Sequence, residues 1–540
     1  MRNFKSCIKG LHGFAGVARG RMLLCVLIGL IGVAASLSFV AVCKTLVDIA
    51  TGTLDKPIVP YVWAMIGIML LQLLSHVAYD YIEGLNSIKT QIRIRRSLFA
   101  HVLNSQWDGC EAFHSGDAIN RLEQDVSMVV EFCCSRLPSV VITVFQLLAA
   151  SVFLLMMAPN LLWILLVLMV VAVLGSRLFF NTLRSLTNAI RAKDSAIQAH
   201  LQETLQNRIV VLTIAGAKRM VERLGWLQKD LYGDTRKRLN YGAIARTFMS
   251  LGFASGYAVA FLWGVFGIRS GAVTFGMMTA FLQLVGQVQR PVASLAKVVP
   301  NFIRTLTSVE RLMDLQDLPL EKETEFEFIT EVPEIEVRQL TFSYPNQQKK
   351  VFDDFSTCFP AGKLTAIVGE TGAGKSTLTK LLLALLRPES GEIRIAGRPA
   401  NVGLRCNFMY VPQGNSLFSG TIRDNLLMAK PDASEDEINE VLHRAVADFA
   451  FDLPQGIATS CSERGGGLSE GQAQRIAIAR GLLHEGNILI LDEATSAVDA
   501  ETECKLLQNL KQYYYGKKTI LFISHREAVV AEADAVVKIG

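Results

Sequence analysis

Leu364-Thr-Ala-Ile-Val368-Gly369-Glu370-Thr371-Gly372-Ala373-Gly374-Lys375-Ser376-Thr377 is the stretch on which the reading of this chain turns. A strand-like run, Leu364–Val368, passes straight into G-x-x-x-x-G-K-[ST], and a helical run, Ser376–Leu386, follows. The glycines let backbone N–H groups close around phosphate oxygens, and the helix N-terminus adds its dipole. Lys375 is placed to reach the β- and γ-phosphates of a nucleotide, and the Ser376 hydroxyl to bind Mg2+. Glu370, Thr371, Ala373 and Thr377 complete the expected phosphate contact. The strand–loop–helix setting makes this an α/β P-loop domain.

Further along, Ile488-Leu-Ile-Leu491 reads as a fully buried strand and ends in Asp492-Glu493. Asp492 is expected to hold Mg2+ through water. Glu493 is suited to take a proton from, or to orient, an attacking water. Between loop and strand lies Leu468-Ser469-Glu470-Gly471-Gln472, followed by Ala473-Gln-Arg-Ile-Ala-Ile-Ala-Arg480.

The chain upstream is of another kind. With 540 residues it exceeds what one core supports, so at least two domains are expected. Hydrophobic residues make up 51% and charged residues 19%, at a mean hydropathy of +0.32. Soluble domains carry roughly 25% charge, so the composition points to a membrane protein and excludes disorder and collagen-like repeats. The net charge of +5 divides into +15 over residues 1–313 and −10 over 314–540. The acidic second half argues against nucleic acid as a partner. Ten cysteines without a CxxC pair read as buried thiols in a reducing compartment, Cys133 and Cys134 as small packing residues.

A membrane helix needs about 20 apolar residues. Charge-free runs supply six: Met22–Cys43, Pro57–Tyr79, two within Leu137–Ser176 divided at Ala158-Pro159-Asn160, Thr247–Ile268 and Ser270–Gln289. Lys and Arg concentrate before the first run and between Arg184 and Arg246, which places both termini in the cytoplasm. The first run is too long for a signal peptide core and five more follow it. Helical periodicity in the connections at 80–136 and 177–246 predicts rods that continue past the bilayer. Their tips, near Trp107–His114 and Asn207–Lys218, would reach something in the cytoplasm. Residues 1–312 are thus the expected membrane domain, 313–332 an acidic linker, and 333–540 the soluble domain.

Taken together, the motifs resemble those of the ATP-binding cassette transporters, specifically the exporter-type half-transporter with six spans and one nucleotide-binding domain. The resemblance covers essentially the whole chain. It rests on Tyr344 in Phe-Ser-Tyr-Pro, the phosphate loop, Gln413 in Val-Pro-Gln, residues 468–472, Asp492-Glu493, Ser496-Ala-Val-Asp499 and His525 in Ile-Ser-His-Arg, in the family's order. It implies ATP and Mg2+ as cofactors and two cassettes stacked head to tail. Tyr344 would stack on adenine. Gln413 would contact Mg2+ and sense the membrane domain, and His525 would bridge the γ-phosphate and the Glu493 side. Ser469, the Gly471 amide and Gln472 would serve the nucleotide held by a partner subunit, and the rod tips would dock on the cassettes.

Three departures stand out. Glu470 occupies a position where the family usually has Gly, and its side chain is expected to point away from the nucleotide. Ser462 precedes the signature where Gly is common. The chain reaches Gly540 soon after His525, so the family's C-terminal helices are expected to be short or missing.

The resulting expectation is an ATPase that drives export of a hydrophobic or amphipathic substrate, working as a homodimer of half-transporters in a bacterial cytoplasmic membrane. A heterodimer, a lipid flippase, an importer and a regulatory or channel-type protein on the same scaffold are the alternatives. Six spans exclude the soluble cassette proteins. No peptidase domain precedes the first span, so processing of a leader peptide is not expected. The polar residues in or near the spans include His76, Asp80, Gln146, Gln283 and Gln287; Gln283 and Gln287, four apart on one face, are candidates for a cavity or for bonds between helices, whereas Asp80 and Glu83 read as solvated or structural.

Overall fold

The computed structural model describes residues 4–107, 115–295, 298–322, 324–344, 349–462 and 466–540. The chain forms two compact units, Met1–Ala100 with Ser115–Gln316, and His101–His114 with Asp317–Gly540.

The first unit is helical. Its elements are α1 (Phe4–Ala15), α2 (Arg19–Ala50), α3 (Ile58–Leu103), α4 (Gly116–Met157), α5 (Pro159–Arg177), α6 (Phe180–Gln206), α7 (Arg208–Thr213), α8 (Ala217–Arg269), α9 (Phe275–Leu295) and α10 (Val298–Gln316). At 46 and 53 residues, α3 and α8 measure about 70 and 80 Å, more than twice the hydrocarbon thickness. These are the rods that the periodicity predicts. The break at Ala158-Pro159 is real: Ala158 leaves the helical region at φ −154° and Pro159 starts α5, where its missing N–H costs nothing.

Among the described residues four helices, α2, α3, α4 and α8, are each long and apolar enough to cross a membrane. The fourth and sixth expected runs fall on the shorter α5 and on α9. The reason α9 stands out less is its amphipathic character, for it carries Gln283, Gln287, Gln289 and Pro291. Its other face, Ala280, Phe281, Leu284, Val285 and Val288, is completely buried and packs on α2, α4 and α8. Gln287 donates to Ser36 Oγ at 3.0 Å and Gln289 to the Phe253 carbonyl at 3.3 Å, so both bond between helices. His76 and Gln146 instead line a cavity of about 340 Å³ between α2, α3 and α4.

The second unit has an antiparallel sheet, β1 (Ile335–Phe342), β2 (Phe352–Phe359) and β4 (Ser390–Ile395), beside a parallel one. The parallel strands are β3 (Leu364–Gly369), β5 (Phe408–Val411), β6 (Ile488–Asp492), β7 (Thr519–Ile523) and β8 (Ala535–Ile539), in the order β8-β3-β7-β6-β5. Helices α11 (Lys375–Leu382), α12 (Glu435–Arg444), α13 (Glu470–Leu483) and α14 (Ala500–Tyr514) flank them. Alternate residues of one strand enter different cores. Ile488 and Ile490 join α11 and the antiparallel sheet, while Leu489 and Leu491 face α12, α13 and α14. Burial on both faces is why these strands read as unbroken apolar runs.

Residues 313–332, expected as a linker, divide in two. The first four end α10, and from Asp317 the chain belongs to the second unit. Glu321 forms a bidentate pair with Arg405 at 2.9 and 3.0 Å, and the Ile329 N–H donates to Asn407 Oδ1 at 2.7 Å. The first rod tip belongs to this unit as well: Gln106 N donates to Pro319 O, and the Lys380 ammonium lies 5.7 Å over the Trp107 ring. The rest of that tip, 108–114, lies outside the described residues, as do 463–465 of the loop after Ser462.

Candidate functional site

Because β3, β6 and β7 are parallel neighbours, their C-terminal ends emerge on one edge of the sheet. Three loops meet there: 370–374 after β3, Glu493 after β6, and Ser524-His525 after β7. Crevices at such strand ends are where open α/β sheets bind ligands.

The loop after β3 adopts conformations that only glycine takes easily. Gly372 has φ +86° and Gly374 φ +105°. A Cβ on Gly374 would stand 2.6 Å from Val351 Cγ1, so both backbone and space require glycine. Gly374→Ala is therefore expected to lower ATP affinity by about tenfold or more, as the loop must open to relieve strain. Nucleotide titration of the purified protein checks this.

Lys375, the first residue of α11, is buried at 7% exposure. Its ammonium donates to the carbonyls of Gly369 at 2.7 Å and Glu370 at 3.0 Å. It also lies 2.9 Å from His525 Nε2. An ammonium has only donors, so that ring nitrogen accepts. Ser376 and Thr371 are exposed at the loop's mouth. Thr377 shares a hydrogen bond of 3.2 Å with the Tyr344 hydroxyl, and the Tyr344 ring is set edge-on to Phe342.

Asp492 ends β6 at 4% exposure. Burial pushes its carboxyl above the usual range and Glu493 adds to this, while the Tyr410 hydroxyl at 3.3 Å and Lys375 act against it. Glu493 holds a left-handed backbone at φ +48°, fixed by its N–H donating to Ile523 O at 3.0 Å. That conformation is uncommon for a non-glycine residue and turns the side chain out of the strand. One Glu493 oxygen accepts from Gln413 Nε2 at 2.6 Å, and the other lies 3.5 Å from His525 Nε2. Lys375, Gln413, Asp492, Glu493 and His525 are thus brought together.

Ser469, Gly471 and Gln472 are not part of this cluster. They form the start of α13, where Ser469 Oγ accepts from Gln472 N and Gln472 Oε1 accepts from Ser469 N, a capping box. Ser469 is exposed. Glu470 is exposed too, in the first helical turn, where a negative charge suits the helix dipole. A Cβ on Gly471 would stand 2.6 Å from the Ala497 carbonyl, so this glycine allows α13 to approach the 496–499 turn.

Four residues the motifs do not single out hold these parts in place. Tyr410 orients Asp492. Gln474, fully buried, donates to Ser496 Oγ and accepts from Ala497 N, tying α13 to the turn after Glu493. Glu503, 1% exposed, accepts from Thr495 Oγ1 at 2.6 Å and from Arg526 at 2.9 Å. Arg526 also donates to the Ser496 and Val498 carbonyls, so the residue after His525 braces the 495–498 turn. Arg526 is 36% exposed and keeps its two carbonyl partners, so Glu503→Gln, which weakens the charge-assisted bonds of the buried carboxylate, is expected to cost roughly 1–2 kcal/mol and lower the unfolding temperature. Calorimetry or a melting assay reads this directly.

The family model described as ABC transporter matches residues 352–496, and that of the ABC transporter transmembrane region matches 22–292. The ATP-dependent lipid A-core flippase of Photobacterium profundum is 29% identical over 506 residues, covering 91% of this chain and 86% of that protein. The alpha-hemolysin translocation ATP-binding protein HlyB of Escherichia coli O157:H7 is 29% identical over 483 residues, covering 88% and 68%. Among solved structures, a bacterial Atm1-family ABC exporter with ATP bound matches with a TM-score of 0.79 at 25% identity, over 97% of this chain and 94% of that one.

Proposed function

Since the chain belongs to the ABC transporter family and joins the family's transmembrane region to its ATP-binding domain in one integral membrane protein, we propose that two copies of it export an amphipathic substrate by hydrolysing ATP. The observation that carries this reading is the convergence of Lys375, Gln413, Glu493 and His525 at the mouth of the phosphate loop.

In this reading the N–H groups of Gly369–Gly374 and the Lys375 ammonium hold the β- and γ-phosphates, with Ser376 and Thr377 beside them and Tyr344 against the base. Glu493, aimed by its strained backbone and held by Gln413, takes a proton as water attacks the γ-phosphorus. His525 positions the γ-phosphate from the Lys375 side. The donor chemistry fits Mg2+: Ser376, Gln413 and Asp492 offer hard oxygen donors. Mg2+ would offset the burial of the Asp492 charge and supply electrostatic stabilisation of the phosphates.

Two features support a second copy. The exposed α13 N-terminus, with Ser469, the Gly471 amide and Gln472, is a phosphate-binding end that its own loop does not use. At the tip between α6 and α8, Ile209, Val210, Leu212 and Ile214 are 55–78% exposed, an apolar knob suited to a cassette groove. ATP would join the two cassettes and hydrolysis release them. The basic connections favour a bacterial inner membrane topology with both termini on the cytoplasmic face.

Reconstituted into liposomes, the protein should move a fluorescent amphiphile across the bilayer when ATP is supplied on the cassette side. Movement at the same rate without ATP, or with Glu493→Gln, would overturn the export reading.

A further inference from the structure

The strand β5 closes one edge of the parallel sheet, and its register against β6 pairs Tyr410 with Ile490 and Val411 with Leu491. Val411 and Leu491 enter the core under α12, α13 and α14. Residues two apart on a strand share a face, so Asp492 stands on the face of Ile490 and Tyr410. Two residues advance a parallel strand by about 7 Å, a gap that the length of a tyrosine spans. The Tyr410 hydroxyl accordingly meets Asp492 Oδ2 at 3.3 Å and donates to it.

Among the described residues this is the one side-chain hydrogen bond that Asp492 receives, although the residue is 4% exposed. Lys375 is close enough to act on it electrostatically. Its ammonium, however, has three N–H groups and three partners already, the Gly369 and Glu370 carbonyls and His525 Nε2. Tyr410 therefore fixes the rotation of the carboxylate. One oxygen is taken and the other, Oδ1, is left for a cation or for water on it. That difference matters for ion choice. Ca2+ accepts bidentate carboxylates and six to eight ligands in flexible geometry, whereas Mg2+ demands a near-octahedral shell and uses few protein oxygens.

We propose that Tyr410 is a positioning residue that sets the cation preference of the ATP site: by holding Asp492 Oδ2 it keeps the carboxylate from gripping a cation with both oxygens, which favours Mg2+ over Ca2+. The assignment rests on the reading of Asp492 as a ligand of the cation that accompanies ATP. Tyr410→Phe isolates the effect, because it removes the hydroxyl alone from a ring that stands at the sheet edge with 38% of its surface exposed.

The test measures equilibrium binding of a non-hydrolysable ATP analogue to the full-length protein in phosphatidylcholine nanodiscs, with saturating Mg2+, with saturating Ca2+, and with neither. The unaltered protein should bind the analogue about tenfold or more tightly with Mg2+ than with Ca2+, and Tyr410→Phe should narrow that ratio to about threefold or less. Affinity without a divalent cation should stay within about twofold in the variant. Introduced into Asp492→Asn, the same substitution should leave the ratio unchanged, since the effect runs through the carboxylate. A ratio that Tyr410→Phe leaves as it was would overturn the proposal. So would equal binding with Mg2+ and Ca2+ by the unaltered protein, or a loss of affinity equal in all three conditions, which marks a loosened site instead. An unaltered protein that binds the analogue equally with and without Mg2+ would count against the Mg2+–ATP reading itself. Hydrolysis and transport are not read, so their failure would bear on the exporter reading alone.

Discussion

Glu493→Gln is expected to bind ATP as tightly as the unaltered protein and to hydrolyse it about 10²–10⁴ times more slowly, the range for loss of a general base. The change is nearly isosteric. The replacement amide still offers an oxygen to Gln413, which now donates to the carboxylate at 2.6 Å, and the left-handed backbone at φ +48° is untouched. What disappears is the capacity to take a proton from water. Two copies should then remain closed on unhydrolysed ATP, visible as nucleotide that resists dilution. Turnover within a few-fold of normal would remove Glu493 from this role, whatever the fate of the rest of the site.

Lys375→Ala should act earlier, on binding. The Lys375 ammonium is a concentrated positive charge in the loop and is buried at 7% exposure. Charge-assisted hydrogen bonds to phosphate contribute about 1.5–3 kcal/mol each, so ATP affinity should fall roughly ten- to hundredfold or more. The same ammonium ties together Gly369, Glu370 and His525, so part of the loss would come from a loosened loop. Lys375→Arg separates the two effects: it keeps the charge and, with a bulkier head, disturbs the packing. Unchanged ATP affinity in the alanine variant would contradict the phosphate role.

The parts legible in the sequence share a local cause. A phosphate loop is written in consecutive residues because glycines at 372 and 374 meet a backbone requirement within one turn. The parallel strands were legible because burial on both faces leaves no polar position in Ile488–Leu491. The long rods followed from periodicity in the connections. What stayed hidden depends on distant partners. Nothing in the run after Asp499 marks Glu503 as buried, since its burial is made possible by Arg526 and Thr495 arriving from elsewhere. The acidic stretch 317–332 reads as a free linker because Arg405 and Asn407, which hold it, lie more than seventy residues on. On α9 the glutamines dilute the apolar signal of a helix whose opposite face is wholly enclosed.

The central claim, that two copies of this chain complete each other's ATP sites, is tested most directly by steady-state ATP hydrolysis of the purified full-length chain in phosphatidylcholine nanodiscs, with no other protein added. The account predicts Mg2+-dependent hydrolysis with a Hill coefficient above one, because both nucleotides must be present for Ser469 and Gly471 of each copy to close on the other's phosphate loop. A chain that stays inert alone, and hydrolyses ATP only when a different half-transporter is supplied, would contradict it.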